Sequence, residues 1–215
     1  MTHGARMKSS SAATAALLFA LSVNAPAKVR ISLYGGYAAT PESSPGAGAV
    51  IGAGLGFTIS PMLSLDLTAG RWVVPMKASA NGLSRGRLTE LPVSLELRAR
   101  FPLGRGGWAV YGAGGLGYAL HDFALDSDFA AGWKTAGFEV EERVDHGLSA
   151  HVGAGLEIGL GPAVDLDFGA RYTLLRTKGT WAMADLASGE NSGGPLNSLN
   201  FDALAVLVGF RVAFR

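Results

Sequence analysis

The chain contains no cysteine, which rules out disulfide frameworks, thiol nucleophiles and cysteine-based metal sites. Past its first residues it has no apolar run of the ~18 residues that a membrane-spanning helix needs. It has no large excess of either charge, with 18 Lys+Arg against 17 Asp+Glu, so the basic footprint of a nucleic-acid binder is missing. Low-complexity runs are absent and hydrophobic residues make up 48%, so the chain is not disordered.

What is present begins with a leader. "RMKSSSAATAALLFALSVNAPA" has a basic start (Arg6, Lys8), an apolar stretch from about Ala12 to Val23, and Ala25-Pro26-Ala27 as an A-x-A cleavage pattern. Residues 1–27 read as a cleaved secretory signal peptide. Met7 suits its start better than Met1. The leader carries two of the 18 basic residues and none of the 17 acidic ones, leaving 16 against 17 in the mature chain, residues 28–215. Glycine is 31 of 215 residues, about twice the usual share. For a glycine-rich, apolar, exported chain without a spanning helix, the one membrane option is a closed β-barrel.

Eight segments of roughly ten residues alternate apolar with polar or small. In "LPVSLELRARF", Leu91, Val93, Leu95, Leu97, Ala99 and Phe101 share one face and Pro92, Ser94, Glu96, Arg98 and Arg100 the other. "VDLDFGARYTL" and "LSAHVGAGLEIGL" repeat the pattern, as do the first segment from Val29 and the last, ending at Phe214. Tight connections at 60–63, 102–107 and 159–163 alternate with long ones at about 38–46, 75–87, 122–146 and 177–198. All long loops therefore fall on one rim and both termini on the other. This is the layout of an eight-stranded antiparallel transmembrane β-barrel in the outer membrane of a Gram-negative bacterium. Phe57, Phe101, Trp108, Phe210 and Phe214 gather at the turn rim. Tyr37, Trp72, Tyr118, Tyr172 and Trp181 gather at the loop rim, although alternation turns Trp72 inward.

"VYGAGGLGYAL" holds Gly112, Gly114 and Gly117 at the G-x-G-x-x-G spacing of a dinucleotide loop. Such a loop needs a strand before it, a helix opening on it and an acidic residue about 20 positions on. These glycines lie inside an alternating segment, and "GAG" recurs in "GAGLGF" and "GAGLEIG". They read as inward positions that a narrow barrel keeps free of bulk. Nothing in the pattern calls for a cofactor.

"LPVSLELRARF", "WAVYGAGGLGYAL", "HVGAGLEIGL" with "VDLDFGARYTL", and "VLVGFRVAF" together resemble the OmpW-like small outer-membrane barrels. The resemblance covers nearly all of the mature chain. It implies a narrow lumen with an apolar upper region that admits small hydrophobic solutes, and a terminal aromatic read by the barrel-insertion machinery. Phe210, Val212 and Phe214 carry that insertion signal here, but Arg215 follows them.

The inward faces place ten charges in the lumen: Arg30, Asp66, Glu96, Arg98, Arg100, Glu157, Asp165, Asp167, Arg171 and Arg211. They read as a salt-bridge plug, or as a constriction that opens by re-pairing. The outer loop carries Asp122, Asp126, Asp128, Glu139, Glu141, Glu142 and Asp145, with Phe123, Phe129, Trp133 and Phe138 interleaved. Its acids read as a solvated face, or as ligands for cations shared with lipopolysaccharide. Its aromatics either cap a hydrophobic entry or pack the strands beyond the membrane. Ser149, His151 and Glu157 are the nearest approach to a hydrolytic set, on one strand at a spacing unsuited to catalysis, so no enzyme is expected. His121 and His146 flank the acidic loop without a third metal ligand. The leading expectation is a narrow pore or passage for small hydrophobic solutes. The rival is a non-conducting, opacity- or adhesin-like surface protein acting through its outer loops.

Overall fold

Alternating segments of this length bury nothing alone and must pair edge to edge until the sheet closes. In the computed structural model, which describes residues 28–40, 46–76, 85–104 and 106–214, they do so. The strands are β1 (Val29–Ala39), β2 (Gly48–Ser60), β3 (Leu63–Met76), β4 (Gly86–Leu103), β5 (Trp108–Leu125), β6 (Phe138–Val144), β7 (Gly147–Gly159), β8 (Val164–Asp185), β9 (Asn191–Asn200) and β10 (Ala203–Phe214). Among the described residues one helix, α1 (Ser127–Thr135), precedes β6. Eight strands form an antiparallel ring, β1-β2-β3-β4-β5-β7-β8-β10, closed by β1 against β10 with Val29 opposite Phe214. The leader at residues 1–27, parts of the first two long connections and Arg215 lie outside the described residues.

The expected faces hold. Leu91, Val93, Leu95, Leu97 and Phe101 on β4 are exposed to the outside, as are Leu204, Val206, Val208, Phe210 and Phe214 on β10, while Ser94, Glu96 and Arg98 are buried in the lumen. A large exposed apolar band is the signature of a lipid-facing wall. Pro92 sits where β3–β4 pairing lapses, between Ala69 opposite Val93 and Trp72 opposite Glu90. It has no N–H to give to the ladder.

Three expectations need correction. The connections at 122–146 and 177–198 are not open loops. β8 runs on past the ring to Asp185, flanked by β6 on one side and β9 on the other, as an outer three-stranded arm. Isolated from lipid, that extension has no clean alternation to announce it. The helix lies in the same region: Asp126 accepts from the N–H groups of Asp128 and Phe129, and the chain leaves it at Gly137, whose φ of +91° is the left-handed region. Trp72 and Trp181 do not join the outer girdle; Trp72 is buried in the barrel, and Trp181 lies on the arm opposite Glu142. Finally, Gly112 and Gly114 share the outward parity of Trp108 and Val110, and a Cβ on Gly112 would touch nothing. Only Gly117 of the fingerprint, with neighbouring Gly115, faces the crowded lumen, where a Cβ on either would collide with the facing strands.

Candidate functional site

The lumen is filled in two layers. Nearest the turn rim is a layer of ion pairs built from β3, β4, β7, β8 and β10. Arg98 is its centre: Nη1 donates to Glu157 Oε1 at 2.9 Å and to Asp167 Oδ2 at 2.5 Å, while Nε lies 3.6 Å from Asp66 and 3.5 Å from Glu96. Arg100 Nε donates to Glu157 Oε2 at 2.5 Å. Arg211 reaches Asp66 at 2.6 Å and Glu157 at 3.4 Å, and Arg171 reaches Glu96 at 2.6 Å. Moving each ion out of water costs several kcal/mol, and only dense pairing of this kind offsets it.

Eight of the ten lumen charges expected from the sequence therefore meet: Asp66, Glu96, Arg98, Arg100, Glu157, Asp167, Arg171 and Arg211. Arg30 and Asp165 are not among these ion pairs, and Arg30 Nε is buried without a hydrogen-bond partner among the described residues. Sequence reasoning missed two members. Tyr111 donates to Asp167 Oδ1 at 2.8 Å and stacks its ring 3.7 Å from the Arg98 guanidinium carbon. His151 Nε2 lies 3.1 Å from Glu96 Oε2. Glycines make the room: a Cβ at Gly155 or Gly169 would strike Tyr111 and one at Gly115 would strike His151. An aromatic opposite a glycine on an inward face is the signal that could have found both. His151 and Glu157 are thus bound into the ion-pair layer, and Ser149 stays apart from it.

Toward the loop rim the inward residues turn apolar. Trp72, Val74, Met76, Leu88, Ala119, Val144, Leu175, Leu199 and Phe201 form one buried cluster. Between the layers a chamber of about 40 Å³ remains beside Tyr34, Thr68, Tyr111 and Arg171, space for no more than about three waters. Two polar side chains interrupt the apolar layer. Glu90 Oε2 and His121 Nε2 are buried 3.9 Å apart with no hydrogen-bond partner among the described residues.

The outer acids do not converge. Asp126 caps α1 and lies 3.6 Å from Arg85, Asp128 is in the first turn, Glu139, Glu141 and Glu142 lie along β6, and Asp122 and Asp145 stand at its base. Among the described residues no group of three or more His, Cys, Asp or Glu is placed to hold a metal ion. His121 and His146 do meet, the His121 N–H donating to His146 Nδ1 at 3.1 Å. Phe129, Trp133 and Phe138 pack edge to face in a row, with centroids 6.2 and 6.1 Å apart. They fix α1 to the far end of β6, and Phe123 alone of the four packs against the apolar cluster. Phe210 and Phe214, two of the three residues of the insertion signal, are exposed on the outer face of β10.

A closed ring with a lipid-facing exterior has counterparts among known proteins. The family model described as outer membrane protein beta-barrel domain matches residues 12–214. The chain belongs to that family. It is a small outer-membrane barrel, and its solved relatives agree in fold. OprG from Pseudomonas aeruginosa is 14% identical, with 88% of this chain and 96% of that one covered at a TM-score of 0.66. Neisserial surface protein A is 14% identical over 87% and 97%, at 0.56. Outer membrane protein W of E. coli is 13% identical over 87% and 98%, at 0.53. No curated protein matches the chain.

Proposed function

We propose that this outer-membrane barrel is a narrow passage for small hydrophobic solutes, closed at rest by its ion-pair layer. One observation carries the reading: the inward surface changes from charged at the turn rim to apolar at the loop rim, where Trp72, Leu88, Leu175 and Phe201 meet. A hydrophobic solute arriving at the loop rim meets a surface that desolvates it favourably. It then meets a layer of paired charges that an apolar molecule cannot solvate. Passage beyond that layer requires the pairs to part or the solute to leave sideways between strands. In this reading the loop rim faces outward, the leader exports the chain, lipid and lipopolysaccharide surround it, and the outward face of Phe210, Val212 and Phe214 is what the insertion machinery reads.

The test is single-channel conductance of the refolded barrel in a planar bilayer, run beside uptake of a hydrophobic dye into proteoliposomes. Conductance steps altered by Glu96→Gln trace a path through the ion pairs. Electrical silence with dye uptake assigns a sideways path. Silence without uptake, from a barrel that keeps its heat-dependent gel shift, discards the passage.

A further inference from the structure

Beyond the ring the barrel wall splits. β5 pairs with β7 as far as Ala119 opposite Gly147. From there β5 continues to Leu125 beside β4, whereas β6 turns away and pairs with β8. Among the described residues β6 has no strand on its other side, so one edge of its backbone is left without a ladder. That edge and the end of β5 face each other across an open cleft of about 480 Å³, whose walls include Asp122, Phe123, Glu141 and Val144. Two contacts close its base: the His121 N–H on His146 Nδ1, and His121 Nδ1, 2.8 Å from the carbonyl oxygen of Asp145.

A free strand edge accepts another strand through main-chain hydrogen bonds, and the side chains beside it select which one. On β6 the outward residues are Glu139, Glu141 and Arg143, and Arg143 is already 3.5 Å from Glu141. Asp122 adds a further negative charge from β5. The inward residues are Phe138, Val140, Glu142 and Val144, apolar except for one buried glutamate. In the antiparallel register that pairs all seven residues, a second copy of the same edge would set Glu141 against Glu141 and Val140 against Glu142, although Glu139 would meet Arg143. The outward side of the cleft is net negative, Glu139, Glu141 and Asp122 against Arg143, and favours a strand that carries basic residues on that side.

We propose that β6 takes up an extended peptide whose residues alternate basic and apolar, as an added strand in the cleft between β5 and β6. The basic side chains lie outward toward Glu139, Glu141 and Asp122, and the apolar ones inward toward Val140, Val144 and Phe123. The seven residues of β6 offer an edge of about 23 Å at strand rise, enough for a peptide of similar length. This binding does not depend on solute passage.

The experiment uses the refolded full barrel in phosphatidylcholine nanodiscs, whose zwitterionic surface does not attract a basic peptide. The probe is a capped, fluorescein-labelled heptapeptide alternating Lys and Val, followed by anisotropy and by amide hydrogen exchange. The expected result is binding that slows exchange within residues 138–144. It weakens at least tenfold in the Glu139→Lys, Glu141→Lys double variant, whose substituted side chains are exposed and whose gel shift verifies folding. It also weakens tenfold for at least one of two peptides N-methylated on odd or on even residues, since one set of N–H groups faces β6 and the other faces the end of β5. Binding of both methylated peptides as tight as that of the parent peptide would show charge attraction without an added strand, and overturns the proposal. So does protection on another strand, protection of β6 without peptide through self-association, or no binding at all.

Discussion

The two halves of the lumen occupy the same fold, on the same strands, and are held by opposite means. Toward the turn rim the inward residues of β4 are Arg100, Arg98, Glu96 and Ser94; toward the loop rim they are Glu90 and Leu88. β3 goes from Asp66 and Thr68 to Trp72, Val74 and Met76, β8 from Asp167 and Arg171 to Leu175, and β10 from Arg211 to Leu207, Ala205 and Ala203. The charged half depends on each ion having its partner, so removing one member leaves several uncompensated. The apolar half depends on volume, and a lost methyl group costs only its own contacts. One layer resists partial opening and the other tolerates it.

The largest expected effect breaks the charged half. Arg98→Met strips a cation from Asp66, Glu96, Glu157 and Asp167 at once, and should cost about 3–5 kcal/mol, read as a lower urea midpoint in lipid vesicles. Equal stability would mean the layer is wet and screened. The apolar half should yield less: Leu88→Ala should cost about 2–3 kcal/mol, toward the low end for such cavities because the mouth can settle. The same variant should take up hydrophobic dye faster, and unchanged uptake would remove this layer from the path. Where the outer arm leaves the ring, Asp202 Oδ1 accepts from the Leu175 N–H at 2.8 Å. Asp202→Ala should cost about 1–2 kcal/mol and speed amide exchange at Leu175 without moving the ion-pair layer. Asp126→Ala, removing the cap of α1, should cost about 1 kcal/mol and be visible only as faster exchange in residues 128–130.

The smallest effect is one of pH, at the tip of the arm. The backbone N–H groups of Ser188 and Ala187 donate to Asp185 and hold its carboxyl below the usual carboxylate range. Because the folded value is the lower one, the order this gives to the turn is complete above the ordinary carboxylate value of about 3.9. It fades as pH falls through the lowered value. Amide shifts of Ala187 and Ser188 should change only in that acid range, and a change near neutrality would contradict the assignment.

Lipid makes part of this structure easy to read in the sequence. It forces strict alternation on the residues that touch it, so the eight strands, their facing and the ring of lumen charges follow from apolar residues two apart. Leu91 to Phe101 announces Glu96 and Arg98 by exclusion. The arm was not legible because "NSGGPLNSLN" shows no dominant period, and the short alternation of "FEVEERV", with Glu142 on its apolar side, was obscured by the acidity around it. The helix did leave a mark, Asp126 before it and Gly137 after it, that acidity and length obscured. The apolar upper layer was legible only through the resemblance that implied it and the alternation that turned Trp72 inward. Its members, Trp72, Val74, Leu88, Leu175 and Phe201, face inward from strand ends, where apolar residues look outward-facing or loop-bound. Tyr111 and His151 were hidden for a related reason, since what marks them is the glycine on a neighbouring strand.

The meeting of Val29 with Phe214 bears on assembly. The first strand of the ring has no permanent neighbour on one side until the last strand has been made. Contacts so distant along the chain form slowly. A barrel sealed by its own two ends is complete only when β10 has reached β1, and those last residues act as the clasp.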